Sequence, residues 1–181
     1  NKKTKAVIIV HMLGTACKIK EISKICRSKN ITLIEDTAWG IGATAGNKYL
    51  GTLGDIGAFS FDFAKTITTG EGGMLLFKNK KMFKKAAAWH DHGHENNPML
   101  QRWEDSRSSS GFNFRMTELQ GAVGIAQLNK LDLIIKRHKK NKNLILKKMS
   151  LLSNITLREV PNYSTDSAEA LIFYVKNKNK A

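Results

Sequence analysis

The first part of the chain alternates short apolar runs with an amphipathic segment. Residues 5–11 are rich in β-branched side chains, a pattern typical of a buried strand. Residues 18–29 place isoleucines and a cysteine on one helical face and lysines on the other, which predicts a helix. Residues 31–34 predict a second strand, which the acidic pair Glu35-Asp36 follows. This order of elements indicates parallel strands joined by a right-handed crossover.

The ends of these two strands are candidate functional positions. Ligands of parallel sheets bind beyond the carboxyl ends of the strands, and His11 and Asp36 both fall there. We expect His11 to be packed or hydrogen-bonded rather than a catalytic acid or base. Asp36 is a candidate for binding a ligand.

The middle of the chain predicts two short strands and a helix. The strands span residues 56–61 and 73–77 and flank a glycine-rich segment that contains Lys65. Residues 80–90 predict the helix. Residues 91–111 are polar and irregular, and a loop of this length is often functional.

A long helix is predicted from Thr117 to about Met149, with Gln120 completing a capping box at its start. Four of its apolar side chains are expected to face inward: Leu119, Val123, Ala126 and Leu131. A last strand is predicted over residues 170–175, with little chain left to pair with it.

The strongly basic composition bears on which partners the protein can bind. Thirty basic and 15 acidic residues give a net charge of +15, which fits a surface for nucleic acid or anionic membrane, or a solvated lysine-rich face. The lysine clusters, including one in the C-terminal tail, lack interleaved aromatics, which favours the solvated face. A basic surface also suits a polyanionic substrate such as a nucleotide sugar.

The remaining composition indicates a soluble cytoplasmic protein. The chain has no apolar run of about 18 residues and no recognisable signal peptide. Its two cysteines, Cys17 and Cys26, lie on one predicted helix and resemble neither a disulfide framework nor a zinc site. A reducing compartment is therefore expected.

Asp36 and Lys65 together form a minimal set for binding pyridoxal phosphate. A lysine amine condenses with the cofactor's aldehyde, and a carboxylate keeps its pyridine nitrogen protonated. Their spacing alone does not distinguish this role from that of a surface lysine and a helix-capping aspartate.

A series of sequence blocks around these residues resembles the DegT/DnrJ/EryC1/StrS aminotransferase family. The blocks are Val10–Gly14 (VHMLG), Glu35–Ala38 (EDTA), Leu50–Phe61 (LGTLGDIGAFSF), Lys65–Gly73 and Gly111–Gln120 (GFNFRMTELQ). They occur in the family's order and spacing and cover about residues 6–137. A glycine-rich loop alone would be weak evidence, whereas this series is specific.

The resemblance implies an α/β fold of the fold-type-I, aspartate-aminotransferase-like class, with a mostly parallel sheet flanked by helices. It implies a homodimer with active sites at the subunit interface and pyridoxal 5'-phosphate as cofactor. By position, Lys65 forms the Schiff base, Asp36 pairs with the pyridine nitrogen, and Ser60 contacts the phosphate. Asn113 reaches the phosphate of the neighbouring subunit's cofactor, and Trp39 lies near the phenolic oxygen. The implied reaction transfers an amino group, from glutamate, to a nucleotide-linked keto sugar.

Two positions depart from the family pattern. Many members have glutamine or histidine in place of Trp39, whose indole N–H donates a hydrogen bond but cannot accept one. Many have histidine in place of Asp62. Both differences limit what the resemblance says about the substrate.

Several neighbouring residues have structural and functional interpretations. Arg115 is expected to stabilise the turn before the Thr117 helix rather than to contact substrate. Glu71 is expected to form a structural hydrogen bond to its loop rather than to act in catalysis. The glycines beside it are expected to permit tight turns: Gly70, Gly72 and Gly73.

The histidine-rich segment offers a metal site as an alternative. His90, His92 and His94 alternate beside Asp91 and Glu95, as ligands on an extended loop would. The family has a His-Gly pair here without a metal, so we expect no metal site.

The resemblance also predicts domain organisation. Residues 1–149 are expected to form part of the cofactor-binding large domain, and residues 150–181 the start of a truncated small C-terminal domain. Family members extend beyond both ends of this chain, so we expect further cofactor contacts from sequence outside it.

Two alternatives remain. Sugar 3-dehydratases resemble these enzymes but carry histidine where Lys65 stands. The other alternative is a basic nucleic-acid-binding or regulatory protein on a degenerate enzyme fold.

Overall fold

The computed structural model describes residues 1–176 as four α-helices, nine strands and a short 3-10 helix. The helices are α1 (Ile19–Ser28), α2 (Lys80–His90), α3 (Glu118–Leu128) and α4 (Leu131–Met149); the 3-10 helix is Met12–Gly14. The strands are β1 (Ala6–Val10), β2 (Thr32–Asp36), β3 (Thr44–Ala45), β4 (Lys48–Tyr49), β5 (Ile56–Ser60), β6 (Gly73–Phe77), β7 (Ile155–Leu157), β8 (Ser164–Thr165) and β9 (Phe173–Val175). Within this part of the chain, no helix is long and apolar enough to cross a membrane.

The main sheet has the strand order β1-β2-β5-β6. β1 and β2 are parallel, with Val10 opposite Asp36, and β2 and β5 are parallel, with Asp36 opposite Ala58. β6 runs antiparallel to β5, with Ser60 opposite Gly73, and the loop of residues 61–72 joins them. The predicted α/β fold with a mostly parallel sheet is confirmed.

The core lies where α1 packs against this sheet. The buried face of α1 contributes Ile19 and Cys26, and the sheet contributes Ile9 and Leu33. Leu50, from the segment between β4 and β5, completes the cluster. This packing orders the carboxyl ends of β1 and β2, where His11 and Asp36 lie.

The single long helix predicted from Thr117 is wrong in two respects. The helix breaks between α3 and α4, where the Lys130 N–H bonds to the Gln127 carbonyl at 3.0 Å and tightens the turn. The inward prediction also fails, since Leu119 is 81% exposed, Val123 is 46% exposed and Ala126 is exposed, while Leu131 is half-buried. The α3 side chains remain exposed because no described element packs over this face of α3.

The C-terminal part of the chain pairs more than its sequence predicts. The last strand is shorter than expected but pairs with β7, with Thr156 opposite Tyr174, so the expectation that it lacks a partner is wrong. β8 pairs with β3, and thereby ties residues 164–165 to the first half of the chain. Residues 177–181, which include the tail lysines Lys178 and Lys180 and the end of the predicted second domain, lie outside the described residues.

Candidate functional site

Glu35 organises the end of β2 from inside the protein. Its carboxylate is fully buried and accepts backbone N–H groups from Gly51, Leu53 and Gly54 at 2.9, 2.7 and 2.5 Å. His11, also fully buried, completes the set. One carboxylate thus fixes residues 51–54 and the strand end that carries Asp36.

The partners of His11 determine which nitrogen of its imidazole carries the proton. His11 Nδ1 accepts the Cys17 N–H at 3.3 Å, so Nε2 carries hydrogen and donates to Glu35 Oε2 at 2.9 Å. Burial favours a raised pKa for the Glu35 carboxyl, but the bonds from His11, Gly54 and Gly51 outweigh it and lower that pKa. His11 is therefore a buried, hydrogen-bonded residue, as predicted.

Asp36 presents one free carboxylate oxygen at the strand end. Its Oδ1 accepts the Ala38 N–H at 3.0 Å, and its carbonyl accepts the His11 N–H at 3.0 Å. Within residues 1–176, Oδ2 has no hydrogen-bond partner. This half-buried oxygen can accept a hydrogen bond from a ligand.

Lys65 lies on a loop whose two ends are joined by backbone hydrogen bonds. The Phe61 N–H donates to the Gly72 carbonyl at 2.8 Å, and the Phe61 carbonyl accepts the Thr69 N–H at 2.9 Å. The buried side chains of Phe61 and Ile67 anchor the loop from within. The Lys65 backbone is therefore held at the end of β5.

The Lys65 side chain turns toward the end of β2. Its Nζ lies 3.4 Å from the centroid of the Trp39 ring, which is cation–π geometry. Trp39 follows Asp36 by three residues, so the amine and the Asp36 carboxylate share the region beyond the ends of β2 and β5. Lys65 is half-buried, as are Trp39 and Asp36.

Ser60 and Asn113 occupy different surroundings. Ser60 ends β5, and its Oγ accepts the Asp62 N–H at 3.3 Å, beside the Lys65 loop. Asn113 is exposed, and its Oδ1 accepts the Arg115 Nε–H at 3.1 Å. In the described part of this single chain, Asn113 contacts neither Ser60 nor Lys65.

Glu71 bonds through its backbone, and the predicted structural hydrogen bond of its side chain is not seen within residues 1–176. The Glu71 carbonyl accepts Thr69 Oγ1 at 2.7 Å and Gln120 Nε2 at 2.8 Å, which joins the Lys65 loop to the start of α3. Gly70 and Gly72 adopt φ values of +83° and +150° in this loop, as predicted. Gly73 instead has the ordinary backbone of a strand.

The loop of residues 91–116 is ordered by ionic contacts. Asp91 is buried and accepts two hydrogen bonds from Arg102, at 2.6 and 2.9 Å, while Arg115 Nε lies 3.3 Å from its Oδ1. The Arg102 guanidinium holds the pKa of the Asp91 carboxyl at about 2. Arg115 thus stabilises the approach to α3, as predicted.

The histidine-rich segment divides its side chains among separate partners. His94 Nδ1 lies 3.2 Å from Asp105 Oδ2, and His90 Nδ1 bonds to the Ala87 carbonyl at 2.7 Å. Among the described residues, no three candidate ligands converge on one point.

Two site residues had no signal in the sequence. Ser167 and Glu169 follow Pro161, where no periodicity predicts their position, yet both return to the Lys65 region. The Ser167 N–H donates to the Gly14 carbonyl at 3.0 Å, and Glu169 is close enough for the Lys65 charge to act on its carboxyl. The β3–β8 pairing, the Ser167–Gly14 bond and the contacts of Lys142 Nζ with Asp166 and the Ala170 carbonyl hold this segment, and none of them leaves a pattern in the sequence.

The residues of this pocket fit pyridoxal phosphate. Lys65 supplies an amine, Asp36 a free carboxylate oxygen, and Ser60 a hydroxyl at a strand end. Four buried side-chain oxygen atoms have no hydrogen-bond partner in residues 1–176: Thr37 Oγ1, Thr66 Oγ1, Ser167 Oγ and Glu169 Oε2. The amine and the hydroxyl of the site suit the aldehyde and the phosphate of the cofactor, and the carboxylate suits its protonated pyridine nitrogen.

Known proteins share this sequence and fold. Residues 1–181 match the model of the DegT/DnrJ/EryC1/StrS aminotransferase family. GDP-perosamine synthase of Escherichia coli O157:H7 is 37% identical over 153 residues, 84% of this chain and 41% of that protein. GDP-perosamine synthase of Vibrio cholerae is 41% identical over 136 residues, 75% of this chain and 36% of that protein.

A solved structure agrees with these relatives. E. coli GDP-4-keto-6-deoxy-D-mannose-3-dehydratase with bound hydrated PLP superposes with a TM-score of 0.86 at 28% identity, over 100% of this chain and 49% of that one. The chain thus spans 36–49% of the length of these three proteins. The family's aminotransferases depend on pyridoxal phosphate. Because the match covers the whole sequence, this chain belongs to the DegT/DnrJ/EryC1/StrS aminotransferase family.

Proposed function

We propose that the protein is a pyridoxal-phosphate-dependent aminotransferase. It transfers an amino group, from glutamate, to a keto sugar carried on a nucleoside diphosphate. The observation that carries this proposal is the Lys65 amine, turned toward the region where Asp36 presents a free carboxylate oxygen. A degenerate enzyme fold would have no reason to keep both groups.

The chain's own residues have distinct roles in this reaction. Lys65 Nζ would hold the cofactor, and as a free amine it would take and return the proton at the substrate carbon. Asp36, whose Oδ2 is free, would pair with the pyridine nitrogen of the bound cofactor and keep it protonated. Ser60 would hold the phosphate. When bound, the cofactor supplies an electron sink for the carbon that loses its proton.

Trp39 shields one side of the Lys65 amine. Its ring covers Nζ at 3.4 Å, so water cannot approach from that side. The indole N–H remains available to donate a hydrogen bond to the cofactor's phenolic oxygen. Trp39 therefore replaces the glutamine or histidine of other members with a donor that cannot accept.

The proposed substrate class rests on the relatives and on charge. The relatives named GDP-perosamine synthases have a GDP-linked sugar in their names. The net charge of +15 suits a substrate that carries a diphosphate, through electrostatic steering.

We propose a homodimer in which a second copy covers α3. Leu119 and Ile125 on α3 are exposed, as are Phe112 and Phe114 before it. An apolar surface of this extent is typical of an obligate interface. Asn113 lies among these residues, away from its own Ser60 and Lys65, which supports its action on the partner's cofactor.

We also propose that residues 1–149 belong to the cofactor-binding large domain and that residues 150–181 begin the small domain. Residues 151–157 follow the end of α4, and β7 and β9 form a separate two-stranded sheet. The β3–β8 pairing gives this second part a fixed connection to the first.

The test is amino transfer by the full-length protein. Glutamate, pyridoxal phosphate and a GDP-linked 4-keto sugar are supplied, and the amino sugar is measured by mass spectrometry. Lys65→Ala should lower kcat by at least about 100-fold, because the general acid-base group is lost. Lys140→Ala removes an exposed lysine from α4 and should leave kcat unchanged. An unchanged kcat in Lys65→Ala would refute the mechanism.

A sugar 3-dehydratase is the second candidate, since one such enzyme shares the fold at 28% identity. The product of a dehydratase would have lost a hydroxyl group and gained no nitrogen. Lys65, where dehydratases carry histidine, favours the aminotransferase. The mass of the product distinguishes the two.

A further inference from the structure

A cavity of about 430 Å³ lies between α4 and the segment that follows it. This volume falls in the range of small-molecule sites, about 300–1,000 Å³. Among the described residues, those assigned to the cofactor do not line it. One face of α4 forms the first wall, through side chains spaced three and four residues apart: Lys139, Lys142, Asn143 and Leu146. The cavity is therefore a second place for a ligand in this protein.

The cavity lies beside the carboxyl end of β1. Thr15, from the segment after that strand, lines it. Arg158, from the segment after α4, also lines it, and its Nη2 donates to the Met12 carbonyl at 3.0 Å. Because ligands of parallel sheets bind beyond the carboxyl ends of the strands, the position suits a binding site.

Two cations that line this cavity are not neutralised by an acid. Lys139 is half-buried and has no ion pair or hydrogen bond within residues 1–176. Arg158 is half-buried too, and in the same part of the chain its side chain bonds only through Nη2, to a neutral carbonyl. A partly desolvated cation is stabilised when an anion binds beside it.

The acidic side chain in the lining does not oppose an anion. Asp166 Oδ2 pairs with Lys142 Nζ, and its Oδ1 accepts the Ala168 N–H at 3.1 Å. In the described chain, three cations and this one carboxylate give the lining a net charge of +2. The Asp166 bond also holds Ala168, which lines the cavity, at a φ of +58°, an unfavourable backbone of the kind that clusters at ligand sites.

The rest of the lining is largely apolar. Its side chains lie after α4: Leu157, Val160, Leu171 and Ile172. Ammonium and guanidinium groups donate to phosphate oxygens, whereas an apolar wall contacts a ring. The two together suit a ligand that carries both a phosphate group and a ring system.

We propose that this cavity is a nucleotide site, in which Lys139 and Arg158 donate hydrogen bonds to phosphate oxygens and the apolar wall contacts the base or the ribose. The nucleotide is either the nucleoside diphosphate part of the sugar substrate or a free nucleotide, because both carry these groups. Only the first source rests on the proposed function. Binding at the cavity requires no amino transfer.

The experiment measures binding to the full-length protein by calorimetry. Pyridoxal phosphate is first reduced onto the protein with borohydride, so that the phosphate site of the cofactor is filled. The probes are GDP and inorganic pyrophosphate, and GDP should bind more tightly because only GDP contacts the apolar wall. Lys139→Met should raise the Kd of both probes about 10-fold, since a charge-assisted hydrogen bond is lost. Lys140→Met changes the next residue, which is exposed, and should leave both Kd values unchanged.

Two further variants separate the parts of the ligand. Arg158→Met should weaken both probes, whereas Leu171→Ala should weaken GDP and leave pyrophosphate unchanged. If Arg158→Met fails to fold because its bond to the Met12 carbonyl is lost, Lys139→Met still decides, since it breaks no bond within residues 1–176.

The KM for a GDP-linked keto sugar, measured with unreduced protein, identifies the source of the nucleotide. If Lys139→Met raises this KM by the same factor as the Kd of GDP, the cavity takes the diphosphate of the substrate. If the KM is unchanged while GDP binds more weakly, the cavity takes a free nucleotide.

The inference is overturned if neither probe binds to the native protein, or if both bind equally to the native protein and to Lys139→Met. Failure of the proposed function is a separate result: no amino sugar forms, while the calorimetric difference between Lys139→Met and Lys140→Met persists.

Discussion

Glu35 shows how one buried carboxylate prepares the site without touching a ligand. It accepts three backbone N–H groups and the His11 imidazole, and the next residue along the chain is Asp36. Glu35→Gln should lower the free energy of unfolding by about 1–3 kcal/mol, because charge-assisted bonds are replaced by weaker ones and one amide group is left unpaired. Urea denaturation measures the change, with Glu104→Gln on the exposed loop as a near-neutral control.

The same residue makes stability depend on pH. Its pKa in the folded protein is lower than the ordinary value of 4.5, so its contribution is present above pH 4.5 and is lost as pH falls through the folded pKa. Below pH 4.5, the free energy of unfolding of the native protein should therefore fall more steeply with decreasing pH than that of Glu35→Gln. Parallel curves for the two proteins would contradict this assignment.

Cys17 should be almost unreactive in the folded protein. Burial is the main cause that raises the pKa of its thiol to about 11, and the negative charge of Glu35 adds to it. Two units above the ordinary value of 9.0 lower the thiolate population about 100-fold at pH 8. Iodoacetamide labelling followed by mass spectrometry should find Cys17 labelled about 100-fold more slowly in native than in urea-unfolded protein. Similar rates in the two states would refute the shift.

The sequence predicts some residues of the candidate site and not others. Lys65, Asp36 and Ser60 lie inside specific blocks that share one order and spacing, so their candidacy follows from sequence. Glu169 has no such context, because its position depends on a two-residue strand pairing and on the unfavourable backbone of Ala168. Long-range contacts of this kind leave no periodic pattern.

At the scale of elements, the start of α3 is coupled to the Lys65 loop. Thr117 and Gln120 form a capping box, and Gln120 Nε2 also donates to the Glu71 carbonyl at 2.8 Å. Thr117→Ala should lower the free energy of unfolding by about 1 kcal/mol through loss of the cap. Faster amide hydrogen exchange at residues 68–72 should accompany it.

Ser150→Ala is the matched control for this prediction. It removes a hydroxyl at the opposite end of the helical region, where Ser150 Oγ bonds to the Lys147 carbonyl. Exchange at residues 68–72 should not change in that variant. If it rises equally in both, the loop is not coupled to the cap.

Helices and longer strands were predictable where periodicity is strong. β6 and α2 match their predicted ranges, and β1, β5 and α1 match within one or two residues. The break between α3 and α4 was missed because Asn129 and Lys130 keep helical backbone angles and interrupt only the hydrogen bonding. The two-residue strands β3, β4 and β8 are too short to show any alternation.

At the scale of the whole molecule, the inward prediction for α3 failed because an apolar helix face does not reveal which chain it packs against. We interpret that face as the dimer interface. Leu119→Glu places a charge on a side chain that is 81% exposed in the single chain. It should convert a dimer into a monomer at micromolar concentration in multi-angle light scattering, because a desolvated unpaired charge is costly at an interface.

Lys140→Glu, on the solvated part of α4, is the control for this change and should leave the mass unchanged. The Leu119→Glu monomer should also bind pyridoxal phosphate more weakly, if Asn113 acts on the partner's cofactor. If the Leu119→Glu protein keeps the mass of a dimer, the dimer interface does not include this face of α3.

The central claim is that Lys65 carries the cofactor, and borohydride trapping tests it most directly. Full-length protein is incubated with pyridoxal phosphate, reduced with borohydride, digested and mapped by mass spectrometry. We expect one stoichiometric phosphopyridoxyl group on the peptide that contains Lys65, and none in Lys65→Ala. Stoichiometric labelling of another lysine, or equal labelling of Lys65→Ala, would contradict it.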